Sequence, residues 1–318
     1  MTGFLVRRLG QSVIVVLGVT VITFVLTRLL PGGVARAILG PRASPIEIAA
    51  FNHENGLDLP GWQQYLYYLN ELIHGNFGFS YRLNQSVTGL LSDHLPKTIL
   101  LLGIATLVAL AVAIPLGVMQ AVRRNRLEDY FFTSVSFVLY SMPPFWIALI
   151  LILLLASPPL NLLPPLGPQG AITTFLEPEQ LTALILPVAA LALVTVALFS
   201  RYMRSSMLDN LVLDYVRTAR AKGVSNAGVL YRHVLRNALI PIVTLLGLSL
   251  PGIFGGALIT EAIFNYPGMG FLFWDSARTR DYPVLLGITI VVALATVVGN
   301  LLADLFYAVV DPRVRVAE

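Results

Sequence analysis

Residues 98–122 read TILLLGIATLVALAVAIPLGVMQAV, an unbroken run without one Asp, Glu, Lys or Arg between Lys97 and Arg123. A helix needs about 20 residues to cross roughly 30 Å of hydrocarbon at 1.5 Å per residue, and this run is long enough. Working outward, five more blocks of the same kind appear: Leu9–Leu30, Tyr130–Ala156, Leu181–Arg201, Ala238–Thr260 and Val284–Tyr307. Over all 318 residues, 56% are hydrophobic and 12% charged. Soluble domains carry about 25% charge, so the composition excludes a water-soluble fold. A membrane barrel would show segments of about ten residues with alternating polarity, and none is present. The expectation is an all-α polytopic membrane protein with six transmembrane helices.

The net charge of +4 does not point to nucleic acid, because the arginines stand at the ends of the apolar blocks, where topology signals belong. With the N-terminus inside, the inner segments hold 14 Lys and Arg and the two short outer loops only Arg278 and Arg280. Both termini are therefore expected in the cytoplasm, with the chain multi-pass in the membrane. The opening block is too long for the 7–15-residue core of a cleaved signal peptide, despite the Ala35-Arg36-Ala37 triplet, and reads as a retained first helix. The division expected is residues 1–30 as the first helix, 31–97 as an extracytoplasmic loop with amphipathic helices, 98–308 as a five-helix core containing a cytoplasmic loop at 201–237, and 309–318 as a cytoplasmic tail. In the outer loop, Ser44-Pro45-Ile46-Glu47 has the form of a capping box with Pro at the first helical position, and Trp62 to His74 carries Tyr65, Leu66, Leu69, Leu72 and Ile73 at helical spacing before Gly75.

Several chemistries lack their residues. The chain has only Lys97 and Lys222, neither within a phosphate-cradling Gly-rich loop, so this polypeptide should not hydrolyse ATP. Nucleophile motifs and zinc-protease signatures are missing, and there is no Cys. His53, His74, His94 and His233 are scattered through polar segments, so no metal or cofactor site is expected. Asp304 is the one acidic residue well inside a span, fewer than an ion-driven carrier would bury. A membrane-embedded enzyme and a self-sufficient channel or carrier remain the readings from other classes; the latter would move solute without ATPase partners.

The most informative segment is Arg201 to Asn237. Met207 to Lys222 places Leu208, Leu211, Val212, Tyr215 and Ala219 on one helical stripe, Arg217, Arg220 and Lys222 crowd its last turns, and Gly223 stops it. Ser225 or Asn226 can cap a second piece leading into the next span. Two readings stand side by side: an interfacial helix held to lipid by its cations, and a handle that a soluble motor grips.

Here the sequence resembles a known family. Asp214-Tyr215-Val216-Arg217-Thr218-Ala219-Arg220-Ala221-Lys222-Gly223 is similar to the "EAA" loop of bacterial ABC import permeases, in the version of the dipeptide and oligopeptide permeases, with Gly223 at the motif's fixed offset. The opening Phe4 to Leu9, the outer Gly75 to Ser80, the stretch Ser141-Met142-Pro143-Pro144-Phe145-Trp146, the loop Glu261 to Gly270 with Arg280-Asp281-Tyr282-Pro283, and the tail Val310 to Arg315 resemble the family in the same order. The resemblance implies a type I ABC importer permease fold and a non-catalytic subunit forming a path for di- or oligopeptides. It implies as partners a second homologous permease, two ATPase subunits or domains that bind the ATP and Mg, and an extracytoplasmic peptide-binding protein. Contact with the ATPases would fall to Asp214, Tyr215, Arg217, Thr218, Ala219, Arg220, Lys222 and Gly223. Ser141, Met142, Pro143, Trp146 and Ser249 are candidates for the path, with packing as their alternative role. A permease for nickel or another small solute is the alternative within the same family.

Overall fold

The computed structural model describes residues 2–29, 33–40 and 42–310. In chain order the helices are α1 (Thr2–Arg28), α2 (Gly33–Leu39), α3 (Pro45–Glu54), α4 (Gly61–Ile73), α5 (Val87–Val122), α6 (Leu127–Ser141), α7 (Pro144–Leu151), α8 (Pro178–Leu211), α9 (Asp214–Ala221), α10 (Asn226–Gly228), α11 (Leu235–Ala238), α12 (Ile240–Gly255), α13 (Leu258–Ile263), α14 (Met269–Thr279) and α15 (Tyr282–Val310). Among the described residues the only strands are a two-residue antiparallel pair, Phe79–Ser80 with Gln85–Ser86. Among the described residues four helical stretches are long and apolar enough to cross a membrane, the broken pair of α6 with the helical segment Pro144–Ala156 makes a fifth, and α1 adds an apolar run over Gly10–Leu26. This architecture is mostly helical and compatible with six crossings.

The bundle is organised around α5 and α8. On α5 the small residues Ala105, Ala109, Ala113, Gly117 and Ala121 recur every fourth position and are all buried, forming the close-packing stripe that membrane helices use in the absence of a hydrophobic driving force. The approach is tightest at Gly117, where a Cβ would stand 2.6 Å from Met203 Cβ and 2.7 Å from the Ser200 carbonyl oxygen. The core built on this seam takes in Ala192, Phe199 and Met207 of α8 and Ile242 of α12.

The spans differ from their sequence outlines where the backbone has a local reason. Helix α5 begins at Val87 rather than Thr98, because Ser86 caps it, accepting from the Gly89 N–H at 3.1 Å, and Val87, Leu90 and Leu91 pack against Met269, Leu272, Val284 and Ile288. The third block is bent by 107° between α6 and the helical segment that opens at Pro144. Pro143 and Pro144 remove two backbone donors there, leaving Met142 extended at φ −79° and ψ 136°. The fifth block stops at Gly255, with Gly256 at φ +76° turning the chain into α13.

The end of the bundle opposite α9 is closed by a polar knot. Glu261, fully buried, accepts from the N–H of Ala257 at 3.1 Å, the N–H of Phe271 at 3.0 Å and the Thr98 hydroxyl at 3.1 Å. Thr98 Oγ1 in turn accepts from the Met269 N–H at 2.7 Å, and the Tyr266 hydroxyl donates to the Lys97 carbonyl. Burial raises the Glu261 carboxyl above its ordinary range against the pull of these donors. The loop from Glu261 to Gly270 thus fastens the α13–α14 connection to α5.

Ahead of α5, the capping box at Ser44 is formed in both directions: Glu47 N–H donates to Ser44 Oγ, and Ser44 N–H donates to the Glu47 carboxylate at 2.7 Å. Helix α4 lies against α1, with Tyr65 Oη 2.9 Å from Thr20 Oγ1.

Candidate functional site

Met207 to Lys222 is not one helix. Met207–Leu211 is the last turn of α8, a turn at Val212 and Leu213 follows, and α9 starts at Asp214. The break re-aims the chain, so Val212 is exposed rather than part of an apolar stripe, while Val216 is completely buried and Ala219 nearly so. Both side chains enter the α5–α8 core beside Met203, Met207, Val229 and Val234. Val216 was not in the stripe read from sequence; its i, i+3 relation to Ala219 was the available signal.

The other face of α9 is bare and charged: Asp214, Arg217, Thr218, Arg220, Ala221, Lys222 and Gly223 are all exposed. The Arg217–Asp214 pair, 3.4 Å apart with side chains 77% and 93% exposed, contributes little stability in that solvent and leaves both charges available. Tyr215, half-buried, donates to Asn210 Oδ1 at 3.0 Å and ties α9 back to α8. Thr218 Oγ1 donates to the Asp214 carbonyl at 3.0 Å within the helix. Of the eight residues expected at this surface, Ala219 and Tyr215 therefore anchor the helix and the other six form its outward face.

Gly223 sets how α9 ends. Its φ is +80°, its N–H donates to the Arg220 carbonyl at 3.0 Å, and the Val224 N–H reaches back to the Ala219 carbonyl at 3.2 Å. These are the two bonds of a Schellman cap, with Val224 at the position that makes the accompanying apolar contact; Val224 packs on the same core as Ala219. Ser225 then caps the next segment, its Oγ accepting from the Gly228 N–H at 3.2 Å, and the chain runs through Val229–Val234 and α11 into α12. One continuous apolar core joins α9 to α5, α8 and α12, so a displacement of α9 has a packed route into the bundle.

A second link at this end had no signal in the sequence. Asp129, 2% exposed at the start of α6, accepts from Arg204 Nε at 2.7 Å and Nη2 at 2.8 Å, and also from the Asn125 N–H at 3.0 Å. This two-pronged pair joins α6 to α8 less than two turns before α8 ends, across a separation of 75 residues.

The path candidates lie apart from α9. Ser141 ends α6, Met142 and Pro143 form the bend, and Trp146 follows one turn later with its N–H on the Pro143 carbonyl at 2.9 Å. Ser249 is on α12, its hydroxyl donating to the Leu246 carbonyl at 2.8 Å. Met142 is half-buried and the other four are exposed on the single chain. Among the described residues no cluster of three or more His, Asp or Glu could hold a metal.

Comparison with known proteins gives this arrangement its context. The model of the family "Binding-protein-dependent transport system inner membrane component" matches residues 113–316, and that of its N-terminal region matches residues 1–102. The chain belongs to this family of transport permeases. The chain is 42% identical to the oligopeptide transport system permease protein AppB of Bacillus subtilis, over 99% of this chain and 100% of that one. It is 37% identical to the dipeptide transport system permease protein DppB of Escherichia coli K12 and 39% identical to the di/tripeptide transport system permease protein DppB of Pseudomonas aeruginosa, each over 99% of both chains. This permease is a non-catalytic membrane subunit, and ATP hydrolysis in its family resides in other chains.

Proposed function

We propose that this permease forms one half of the translocation path of a bacterial importer for di- and oligopeptides, and that the outward face of α9 is where a cytoplasmic ATPase subunit drives it. The observation that carries the reading is the two-sidedness of α9: Val216 and Ala219 rooted in the bundle core, Asp214, Arg217, Thr218, Arg220, Lys222 and Gly223 offered to solvent. A helix resting on lipid would turn its apolar side outward. This one keeps it inward and presents charge, which disfavours lipid as its resting place and supports a soluble protein as its partner. The full-length relatives, named as oligopeptide, dipeptide and di/tripeptide permeases, favour peptides over nickel as cargo.

The complete importer then comprises a second homologous permease, two ATPase subunits or domains holding ATP and Mg, and an extracytoplasmic peptide-binding protein. The chain sits multi-pass in the bacterial inner membrane with both termini and α9 on the cytoplasmic side. Closure of the ATPases pushes α9. Its buried residues pass the push to α8 and α12, and the Asp129–Arg204 pair carries it to α6 and the bend at Met142-Pro143. A cavity between two permeases must be lined by side chains exposed on each one alone, a condition that Ser141, Pro143, Trp146 and Ser249 meet.

The test is purification of this chain from gently solubilised native membranes, followed by reconstitution of what accompanies it. Recovery of a second permease and ATPases whose hydrolysis is stimulated by a peptide-loaded binding protein is the expected result. Recovery of the chain alone, still moving peptide without ATP, refutes the proposal.

A further inference from the structure

Helix α4 carries three large apolar side chains that the described residues leave uncovered: Trp62, Leu66 and Ile73 are 64%, 55% and 82% exposed. At 3.6 residues per turn they fall within an arc of about 40°, so they form a single edge of the helix.

Where that edge lies is fixed by the neighbouring face. Tyr65 and Tyr68 pack their rings on Phe24 of α1, with centroids 5.3 and 5.8 Å away, and Tyr65 Oη is 2.9 Å from Thr20 Oγ1. Thr20 precedes Arg28 by eight residues, about 12 Å along the helix axis at 1.5 Å per residue, and lies inside the apolar run Gly10–Leu26. Through Thr20 and Phe24, helix α4 is thereby held against the C-terminal half of that apolar run, within its length rather than beyond its end. Its far edge faces the protein: Gln64, Tyr67 and Glu71 line an open cleft of about 480 Å³ whose other lining includes Phe24 and Leu286 of α15. Asn70 and His74, both exposed, turn to the remaining quarter. Around its circumference α4 therefore meets α1, an uncovered apolar edge, a polar strip and a protein cleft, in that order.

We infer that α4 is an interfacial anchor whose Trp62, Leu66 and Ile73 are immersed in the acyl region of the leaflet at the C-terminal end of α1. Tryptophan at the rim and a charged or polar opposite face are what such helices require. A docked soluble protein would have to enter the lipid to reach this edge, and the depth set by Thr20 and Phe24 excludes that. The anchor holds residues 61–73 at constant height on the membrane while the bundle behind them moves. Only the leaflet's identity (the outer one) rests on the orientation proposed above.

The chain has no Cys, so single spin labels can be introduced in the full chain with W62C, L66C, I73C and N70C, reconstituted in vesicles of phosphatidylethanolamine and phosphatidylglycerol. Labels at 62, 66 and 73 should collide more with oxygen than with a water-soluble nickel chelate, and the label at 70 should show the opposite order. In parallel, Trp62 in a W146F/W274F chain, with no substitution in α4, should be quenched by brominated phospholipid. Nickel-dominated collision at all four sites together with no quenching of Trp62 overturns the anchor, as does loss of oxygen collision and of Trp62 quenching once the second permease is co-reconstituted, or protection of 62, 66 and 73 that appears only on adding a peptide-binding protein. Neither readout depends on transport, so failure here is distinct from failure of the importer reading.

Discussion

Replacing Gly223 tests the coupling surface with little steric confusion. A Cβ at this position meets no atom within 4 Å, so a substitution acts through the backbone alone. At φ +80° an L-residue pays about 1–2 kcal/mol for the left-handed conformation, equivalent to a factor of roughly 5–30 in the population of the capped form. Asn tolerates that region, Ala pays the ordinary cost, and a β-branched residue pays most. Relief of the strain breaks the Val224 to Ala219 bond and frees the C-terminal end of α9, while the spans and their insertion stay as they are. In proteoliposomes holding the complete importer, Gly223→Asn should keep peptide uptake per ATP hydrolysed near the parent value. Gly223→Ala should lower it by about 5–30-fold in proportion to the lost capped form, and Gly223→Val by at least as much, with hydrolysis continuing. An unchanged uptake-to-hydrolysis ratio in Gly223→Val, with the chain present in the membrane at parent levels, would refute the reasoning.

Three further outcomes follow from the same geometry. Arg204→Lys loses the two-pronged grip on Asp129 and should lower stability by about 1–3 kcal/mol, read as an earlier thermal transition in detergent; no shift would mean the pair is solvated. Gly117→Ala forces α5 away from Met203 and Ser200 and should cost about 1–3 kcal/mol of overpacking, measured the same way. Val216→Ala removes two buried methyl groups and should cost about 1–2 kcal/mol, showing as faster hydrogen exchange in residues 214–224 with the spans unaffected.

Most of the architecture was legible because a bilayer imposes a length and a polarity that few sequences can disguise. The run from Thr98 to Val122 has no other stable home, and the capping box at Ser44 and the stop at Gly223 are local chemistry that reads directly. What stayed hidden depended on contacts distant in sequence. The α5 helix gains its first turns from Val284 and Ile288 near the other end of the chain, and the Asp129–Arg204 pair spans 75 residues. The split of the 207–222 stripe was also invisible, because Val212 and Leu213 are apolar residues that fit a helical period as readily as a turn. In the candidate site the motif marked eight residues as a group but not their division into anchors and outward face, since that depends on where the helix axis restarts at Asp214.

The central claim is that the outward face of α9 meets an ATPase. Because the chain lacks Cys, a photoreactive maleimide can be attached to T218C or A221C on the exposed face and, for comparison, to I46C in α3, which the proposed orientation puts on the opposite side of the membrane. Illumination of native membranes should link positions 218 and 221 to an ATP-binding subunit, with a yield that changes on adding nucleotide, and leave position 46 unlinked to it. Cross-links from 218 and 221 to lipid alone, in membranes where the importer is assembled and active, would contradict the account.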